Sequence, residues 1–351
     1  MRKILTVLEA YDCGDKNFDI KRYGSGHIHS TYLLDNGAVQ YIIQAFNNKV
    51  FKYPERISAN QDILGKHLGD KKLPFALPLP IKNKSGDFFT VQDHQLYRLF
   101  PFIPGITRDA VELPSHAFLA AEAFGIFSGT FLEVPTENLQ EPIENFHNLT
   151  LRYQQLLDSI QHTALPIDGE LRELIEFYRD QTDLLEQYES YQKTLPLRVT
   201  HSDTKINNLI FEKKLSEVRA LIDLDTIMPG FIFYDFGDLV RTVACTEDES
   251  SQKWQGIGVD LEKYKGLLSG FSRPLKPLIS GEELKSLPYG GEMMTYIMGL
   301  RFLADYLNGN IYYNINYPLQ NLHRAKNQYY LLKSLKENRA AIRELMQEVG
   351  L

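Results

Sequence analysis

Apolar residues recur along the chain in two different spacings, and the spacing changes near residue 104. Before that point, short apolar runs alternate with turn sequences, as in antiparallel strands. After it, apolar residues recur every three or four positions, which predicts amphipathic helices. We therefore expect an α+β protein with a small antiparallel β-sheet lobe, residues 1–104, and a mostly helical lobe, residues 105–351. The predicted strands are residues 20–34, interrupted by a glycine turn, then 40–46, 88–91 and 95–100.

The helical pattern is strongest after residue 104. In residues 115–131, Phe118, Phe124, Phe127 and Phe131 recur on one face. We expect the helix in 282–307 to break at Pro288 and at the following pair of glycines, because both residue types interrupt helices. The other predicted helices are a short one before residue 13, then 54–68, 148–162, 168–178, 181–191 and 317–347.

Net charge, cysteine count and the length of apolar runs argue against several classes of protein. The 351 residues carry a net charge of −7, whereas nucleic-acid-binding domains usually have a basic surface. Two cysteines are too few for a disulfide framework. No apolar run is long enough to cross a membrane or to form a signal peptide, so we expect a cytoplasmic protein without a membrane or nucleic-acid partner. The oligomeric state is left open.

Two neighbouring stretches carry the candidate chemistry. Residues 201–208 read His-Ser-Asp-Thr-Lys-Ile-Asn-Asn, an H-x-D-x4-N pattern, and residues 221–225 form an apolar run that contains Asp223. A kinase needs a carboxylate that accepts a hydroxyl proton and oxygen ligands that hold Mg²⁺ on ATP. Asp203 fits the first role, and Asn208 with Asp223 fits the second.

The segment between these stretches predicts how they meet. Residues 209–211 are apolar and strand-like, residues 212–214 form a polar turn, and residues 218–224 are apolar again. Such a hairpin would return Asp223 towards the loop that holds Asp203 and Asn208. This layout is typical of kinase catalytic loops.

The pair HSDTKINN and LIDLDT resembles the aminoglycoside phosphotransferase and choline kinase superfamily, whose catalytic loop and metal strand follow the same pattern. The longer run IDLDTIMPGFIFYDFGDLVR, with YRLFPFIPG before it and RFLADYLNG after it, resembles the N-acetylhexosamine 1-kinases. The likeness extends from about residue 20 to about residue 335. It implies a bilobal protein-kinase-like fold that uses ATP and Mg²⁺ to phosphorylate a small-molecule sugar.

The strands of the first lobe match a kinase nucleotide site with two departures. Gly24, Ser25 and Gly26 form a turn that would approach phosphates closely, but His29 occupies the third glycine position of G-x-G-x-x-G. Gln44 stands where kinases place a phosphate-pairing lysine. Either its amide suffices, or a cation such as Lys49, Lys52 or Arg56 substitutes. The N-acetylhexosamine 1-kinases that this sequence resembles also carry glutamine at the position of Gln44.

The segment 99–105 is expected to connect the two lobes. Phe100 and Phe102 would sandwich an adenine ring, and the N–H that pairs with its edge must come from Phe102 or Ile103, since Pro101 has none. A proline-rich linker with buried aromatics is the other interpretation of the same residues.

Three residues near the end of the chain are candidates for the acceptor site. Arg301 lies in an apolar helix and either pairs with Asp305 one turn later or binds a sugar hydroxyl or N-acetyl carbonyl. Glu292 and Tyr312 are weaker candidates, because a sugar site combines hydrogen bonds with an aromatic face.

Several other polar residues between positions 201 and 251 have either a catalytic or a structural interpretation. His201 is either catalytic or, as we favour, a structural residue that fixes the loop, and Lys205 either neutralises the transferred phosphoryl group or is solvated. Asp225 is either a second metal carboxylate or a turn cap. We expect Asp235 and Asp238 to cap the next helix, with Arg241 paired to one of them, and residues 246–251 to be a solvated acidic loop.

Two rival functions remain open at this stage. One is a kinase for choline, an amino alcohol or an aminoglycoside, for which a choline site would require an aromatic and acidic cage. Arg301 in the acceptor region argues against a cationic acceptor. The other is a nucleotide-binding regulatory protein without strong catalysis, an interpretation suggested by Gln44.

Overall fold

The computed structural model describes residues 2–14, 17–24, 28–69 and 71–351. The strands are Asp19–Arg22 (β1), Ser30–Asp35 (β2), Gln40–Ala45 (β3), Thr90–Gln92 (β4), Gln95–Pro101 (β5), Arg198–Thr200 (β6), Leu209–Phe211 (β7), Val218–Leu221 (β8) and Met228–Gly230 (β9). The helices are Arg2–Leu8 (α1), Pro54–Leu68 (α2), Pro114–Thr130 (α3), Leu149–His162 (α4), Gly169–Arg179 (α5), Thr182–Thr194 (α6), Ile232–Leu239 (α7), Leu261–Leu275 (α8), Gly281–Lys285 (α9), Leu287–Leu307 (α10), Gln320–Glu337 (α11) and Arg339–Glu348 (α12).

The chain forms two compact units, and this architecture confirms the predicted α+β class. Unit 1 consists of Met1–Ile106, Asn138–Glu144 and Ile210–Ile227, and unit 2 consists of Thr107–Glu137, Asn145–Leu209 and Met228–Leu351. Two segments beyond residue 104 therefore cluster with unit 1. The division at residue 104 itself stays a prediction.

Unit 1 is built on an antiparallel sheet with the strand order β1-β2-β3-β5-β4 among the described residues. Its register places Gln44 of β3 directly opposite Arg98 of β5. Opposite residues of neighbouring strands point to the same face of a sheet, so these two polar side chains lie side by side.

Apolar side chains cover the sheet of unit 1 on one face with α1. Ile4, Val7 and Leu8 of the helix pack with Ile43 and Leu99 of the sheet, and all five are buried. A second cluster in this unit contains Phe46, Phe51 and Ile57, which brings α2 into contact with the end of β3. The structure therefore confirms the short helix predicted before residue 13 and the helix predicted at residues 54–68.

The hairpin predicted after residue 208 is present. Strands β7 and β8 form a two-stranded sheet, and the turn between them is closed by hydrogen bonds from Glu212 N–H to Glu217 O and from Leu215 N–H to Glu212 O. Within unit 1 the hairpin is anchored at Phe211, which exchanges both backbone hydrogen bonds with Ile106. The chain then passes from β8 directly to Asp223.

Unit 2 is helical and is organised around α10, which packs against α4, α7 and α11. The sequence places Pro288 in the first turn of α10, where a missing N–H has no consequence, and the helix continues through both glycines. The predicted break at the glycines is therefore wrong. The interruption falls at Ser286, between α9 and α10.

The glycines of α10 serve close packing instead. A Cβ atom on Gly237 of α7 would lie 2.1 Å from the backbone oxygen of Gly290, and one on Gly290 would lie 2.2 Å from that of Phe233. Only hydrogen fits between the two backbones at these positions. This contact fixes the position of α7, which carries Asp235 and Asp238. None of the helices in the described parts of the chain is both long and apolar enough to span a bilayer.

Candidate active site

The loop with the H-x-D-x4-N pattern lies in unit 2 and is held by Asp235 of α7. The two carboxylate oxygens of Asp235 accept the backbone N–H groups of His201 and Ser202, each at 2.8 Å. The hydroxyl of Thr204 donates to the backbone oxygen of Asp235 at 2.6 Å. Ser202 has a φ of +63°, an unfavourable conformation that these bonds maintain. The start of the loop is therefore rigidly attached to α7.

The expectation that Asp235 and Asp238 cap the helix is wrong. Helix α7 begins at Ile232, with Phe231 in the cap position, so both aspartates lie within the helix. Burial raises the pKa of Asp235 to about 6, and the two backbone N–H donors act in the opposite direction. Its role is to hold the catalytic loop.

Asp203 is fixed by two neighbours on its own loop. Its Oδ1 lies 2.8 Å from Nζ of Lys205, and its Oδ2 accepts a hydrogen bond from the side-chain amide of Asn208 at 3.1 Å. Burial opposes ionisation, but Lys205 outweighs it and holds the pKa of Asp203 below its ordinary value. The side chain keeps 22% of its surface exposed. Asp203 is thus an ionised, oriented and accessible hydrogen-bond acceptor.

The hydrogen-bond partners of Asn208 determine the orientation of its side-chain amide. Its amide nitrogen donates to both Oδ2 and the backbone oxygen of Asp203, which are acceptors only. The carbonyl oxygen of Asn208 is therefore the atom that it can offer to a cation, and hard oxygen atoms are the ligands that Mg²⁺ prefers. No cluster of three or more His, Cys, Asp or Glu suited to a metal ion occurs in the described ranges. The predicted pair of one aspartate and one asparagine would not form such a cluster, so this finding does not test it.

Two histidines support the loop. The ring of His201 is fully buried and packs edge-on against Phe124 and Phe127 at 5.3 and 5.8 Å, in keeping with the structural role that we favoured. Its predicted hydrogen bond to the backbone stays a prediction. Nε2 of His147 donates to the backbone oxygen of Ser202 at 3.1 Å, and burial lowers the pKa of His147 to about 4. His147 was not among the residues predicted from the sequence, since a lone histidine carries no signal.

A buried arginine lies beside the loop. Arg241 donates to Oδ1 of Asp238 at 3.0 and 2.8 Å, which confirms that it pairs with one of the two aspartates, and it also bonds to Glu249. Glu249 belongs to the segment that we expected to be only a solvated loop, so that expectation is wrong. Asp203 and then Asp238 raise the pKa of Lys205, against burial, so the lysine remains charged.

Arg301 lies among aromatic rings. Its guanidinium carbon is 5.0 Å from the ring centroid of Phe146, 5.7 Å from that of Tyr312 and 5.5 Å from that of Tyr313. Its polar contact is a long one, 3.7 Å to the sulfur of Met298. Burial and then the neighbouring Arg301 lower the pKa of Arg152 to about 10, so two cationic groups share this region.

The alternative in which Arg301 pairs with Asp305 is wrong. The carboxylate of Asp305 accepts the backbone N–H groups of Tyr312 and Tyr313 at 2.8 and 3.0 Å and the amide of Asn321 at 2.9 Å. Within the described part of the chain, no carboxylate lies within ion-pair distance of Arg301. Its charge is stabilised by aromatic faces, which leaves N–H groups that can donate to a ligand.

The other two acceptor candidates lie in different surroundings. Tyr312 is near Arg301, and its side chain is largely exposed. Glu292 is buried, and both of its carboxylate oxygens are bound by Arg339, at 2.7 and 2.5 Å. This pair links α10 to the start of α12 and gives the carboxylate a structural function. Substrate contacts by Tyr312 and Glu292 stay predictions.

In unit 1, Asp223 follows β8 and has a left-handed φ of +61°. It precedes a short 3₁₀ turn, Leu224–Thr226, that carries Asp225. Asp225 is not a turn cap, because its carboxylate is bound by Arg98 at 2.5 and 2.7 Å and by His29 at 2.9 Å. These partners occupy the carboxylate of Asp225, and the role of metal ligand stays a prediction for Asp223. Its predicted meeting with Asn208 stays a prediction.

Gln44 binds Arg98. The side-chain oxygen of Gln44 accepts from Nε and Nη2 of Arg98 at 3.0 and 2.8 Å, and its amide nitrogen donates to the hydroxyl of Thr31 at 3.3 Å. Of the cations that we considered as substitutes, Arg56 bonds instead to Glu144 and to the backbone oxygen of Glu141. Arg98 was missed, although an arginine within the apolar run of β5 was a visible signal.

The remaining nucleotide residues are partly described. Gly24 has a φ of +77°, which glycine adopts at little cost, whereas Ser25 and Gly26 lie outside the described residues. The ring of Phe100 lies 5.0 Å from the guanidinium of Arg98, and Phe102 packs edge-on against Tyr23. The N–H of Phe102 donates to Gln40 O at 3.3 Å, so Ile103 is the better candidate for an adenine-pairing donor.

Comparison with known proteins identifies the family. A sequence model of the phosphotransferase enzyme family matches residues 19–266, well over half of the chain. Three similar structures share only the fold at 14–15% identity. They are a microcompartment-associated aminopropanol kinase (TM-score 0.67, 14% identity, 97% of each chain), the choline kinase of Cryptosporidium parvum Iowa II (TM-score 0.58, 15% identity, 99% of this chain and 98% of that one), and a spectinomycin phosphotransferase in complex with ADP and spectinomycin (TM-score 0.56, 15% identity, 98% of each chain).

These likenesses cover nearly the whole chain, and they confirm the predicted kinase-like fold. The family match includes β1 at its beginning, the catalytic loop and Asp223, and it ends within α8. The chain therefore belongs to the phosphotransferase enzyme family, and its general activity is phosphoryl transfer to a hydroxyl acceptor.

Proposed function

We propose that this protein is an ATP- and Mg²⁺-dependent kinase that phosphorylates the anomeric hydroxyl of an N-acetylhexosamine. The geometry of Asp203 carries the kinase part of the proposal, because both of its oxygens are held by neighbours and it remains ionised. An acceptor hydroxyl that donates to Asp203 is oriented for attack on the terminal phosphate. Its proton passes to the carboxylate as the new O–P bond forms and the bond to ADP breaks.

Lys205 and Asn208 complete this half of the site. The ammonium group of Lys205 remains charged beside Asp203 and is suited to neutralise the transferred phosphoryl group. The carbonyl oxygen of Asn208 and the carboxylate of Asp223 are the ligands that we assign to Mg²⁺. When bound, Mg²⁺ would supply positive charge that offsets the negative charge of the phosphates. The contribution of these residues is to position the reactants, which is the main source of catalysis in phosphoryl transfer.

Arg301 is the observation that favours a neutral, oxygen-rich acceptor over a cationic one. It has aromatic neighbours and no carboxylate partner among the residues described, and Arg152 adds a second positive charge nearby. A quaternary ammonium or protonated amine would be repelled there, whereas a sugar hydroxyl or an N-acetyl carbonyl would accept its hydrogen bonds. An exposed aromatic ring such as that of Tyr312 suits the apolar face of a sugar.

The rival acceptors are choline, amino alcohols and aminoglycosides. Proteins of similar fold include an aminopropanol kinase, a choline kinase and a spectinomycin phosphotransferase. The regulatory alternative rested on Gln44. In the structure the side chain of Gln44 is engaged by Arg98, so a structural role of Gln44 accounts for its presence without a loss of catalysis.

A single assay separates these possibilities. Purified protein is incubated with MgATP and, in separate reactions, with N-acetylglucosamine, N-acetylgalactosamine, glucose, choline, ethanolamine, 1-amino-2-propanol and spectinomycin, and ADP release is coupled to NADH oxidation. We expect turnover with the N-acetylhexosamines to exceed that with every amine. Preferential turnover of choline or an amino alcohol would contradict the acceptor assignment. ADP binding without turnover of any acceptor would favour the regulatory alternative.

A further inference from the structure

The carboxylate of Asp225 accepts hydrogen bonds from three side chains of unit 1. Oδ1 accepts from Nη1 of Arg98 at 2.5 Å and from Nε2 of Gln61 at 3.4 Å. Oδ2 accepts from Nη2 of Arg98 at 2.7 Å and from Nε2 of His29 at 2.9 Å. Asp225 is 1% exposed. A buried carboxylate with this many donors is a fixed point of the structure.

The donors come from separate elements of unit 1. Arg98 lies on β5, Gln61 lies on α2, and His29 lies just before β2. Gln61 also donates to the backbone oxygen of Leu224, at 3.4 Å, so α2 contacts the turn itself. Asp225 therefore connects three elements to the short turn that follows Asp223.

His29 is itself held in one tautomer. Its Nδ1 accepts the backbone N–H of Asn47 at 3.0 Å, so the proton lies on Nε2 and is donated to Asp225. The ring is stacked against Phe46 and Phe51, with centroid distances of 4.8 and 5.7 Å. This is the residue that stands in place of the third glycine. It links the start of β2 to Asp225.

Arg98 is held from the opposite side by Gln44. The side-chain oxygen of Gln44 accepts two of its N–H groups, while Asp225 receives two others. With 2% of its side chain exposed, Arg98 cannot exchange these partners for water. A lysine offers a point charge and could not make this two-sided, planar contact.

We propose that the buried Arg98–Asp225 pair, supported by His29 and Gln44, positions Asp223 for Mg²⁺. This proposal rests on the proposed function and names positioning residues for it. Asp223 and Asp225 are separated by one residue, and the left-handed backbone of Asp223 leads directly into the turn that Asp225 holds. Fixing Asp225 therefore fixes the direction of the Asp223 carboxylate. Gln44 is then the partner of a positioning arginine, which explains why this strand carries no lysine.

The test measures how much Mg²⁺ strengthens ADP binding. ADP is titrated by calorimetry into wild-type protein and into Arg98→Met, once with Mg²⁺ and once with EDTA. We expect Arg98→Met to lose about tenfold or more of the Mg²⁺-dependent gain in affinity, the usual effect of removing a residue that orients a metal ligand. ADP affinity in EDTA should stay near the wild-type value. Asp225→Asn should behave like Arg98→Met.

Lys3→Met is the matched control, because it removes an exposed cation of the same unit, and it should keep the wild-type gain. An unchanged Mg²⁺ effect in Arg98→Met would overturn this proposal alone, as would an equal loss with Mg²⁺ and with EDTA. The latter would mean that Arg98 acts on the nucleotide or on the fold. Wild-type protein that binds no ADP would overturn the proposed function and this proposal together.

A second variant tests the proposal in case Arg98→Met does not fold. Replacing both partners with apolar residues, Arg98→Met with Asp225→Leu, removes a buried ion pair without leaving a lone charge, a change that proteins commonly tolerate. Folding is checked by thermal unfolding. We expect this double variant to fold and still to lose the Mg²⁺-dependent gain. A folded double variant with the wild-type gain would overturn the positioning role.

Discussion

Asp203 and Lys205 lie two positions apart on one loop and form an ion pair of 2.8 Å. Lys205 holds the pKa of Asp203 below its ordinary value, against the opposing effect of burial. The carboxylate is therefore a weak base that remains ionised well below neutral pH. It is suited to orient a hydroxyl group and to receive its proton late in the reaction, as expected for a loose phosphoryl-transfer transition state.

Replacing Asp203 tests its role directly. In Asp203→Asn the side chain keeps its size and loses its charge, so we expect kcat to fall about 10²–10⁴-fold, the usual contribution of a positioned base. ADP affinity, measured by calorimetry, should stay close to that of the wild type. Near-normal turnover in this variant would remove Asp203 from the mechanism.

The pH dependence of turnover tests the pairing with Lys205. Because the pKa of Asp203 is lowered, wild-type activity should persist as pH falls to the ordinary pKa of an aspartate, 3.8, wherever the fold survives. In Lys205→Met, burial acts without this opposition, so the acid limb of kcat should move to higher pH. Rates measured from pH 8 down to the ordinary aspartate pKa of 3.8 show the shift. An acid limb at the same pH in both proteins would contradict the assigned interaction.

Arg301 should determine affinity for the acceptor and not for ATP. Losing hydrogen bonds from a charged donor costs roughly 1.5–3 kcal/mol, so Arg301→Met should raise the KM for N-acetylglucosamine by about 10- to 150-fold. The KM for ATP should change little. Arg343→Met, which removes an exposed arginine of the same unit, should leave both constants unchanged. A rise in KM for ATP alone would place Arg301 outside the acceptor site.

We expect His147 to make a pH-dependent contribution to the free energy of unfolding. Burial lowers the pKa of His147 to about 4 from the ordinary 6.5, so between these values the unfolded chain binds more protons than the folded one. The stability advantage of wild type over His147→Gln should therefore fall by up to roughly 3 kcal/mol as pH decreases from 6.5 to 4. The midpoint of urea unfolding at each pH measures it. A difference independent of pH would show that His147 titrates normally.

The close contact of α7 and α10 predicts a sharp difference between two glycines. Gly237→Ala would place a Cβ atom 2.1 Å from the backbone oxygen of Gly290, so we expect a large loss of thermal stability, together with loss of activity as α7 shifts. Gly281→Ala is the control, because that position has open space and lies at the start of α9. It should be neutral or slightly stabilising. Equal unfolding temperatures would contradict the packing.

Much of the fold was predictable because the deciding signals are local. The alternation of apolar residues in the strands, the helical periodicity after residue 104 and the hairpin between β7 and β8 each depend on short segments. Within the catalytic loop, Asp203 and Asn208 were identified from their spacing, and the structure brings their side chains together.

The supporting residues could not be predicted in the same way. Asp235 holds the loop from more than thirty positions away, and Arg98 reaches Asp225 across 127 positions. Such contacts depend on which elements pack together, and one sequence does not specify that. Helix capping was wrongly assigned to Asp235 because its motif resembles a local signal. The break at Gly290 was wrongly expected because glycine there serves a tertiary contact.

Phosphorus NMR of the reaction products tests the central claim most directly. Wild-type protein with MgATP and N-acetylglucosamine should convert the terminal phosphate of ATP into a sugar phosphate whose phosphorus couples to the anomeric proton, and Asp203→Asn should leave ATP intact. A phosphate ester on another sugar hydroxyl would contradict the assigned position. Intact ATP with wild-type protein and this sugar, alongside phosphorylation of choline or an amino alcohol, would contradict the assignment as a sugar 1-kinase.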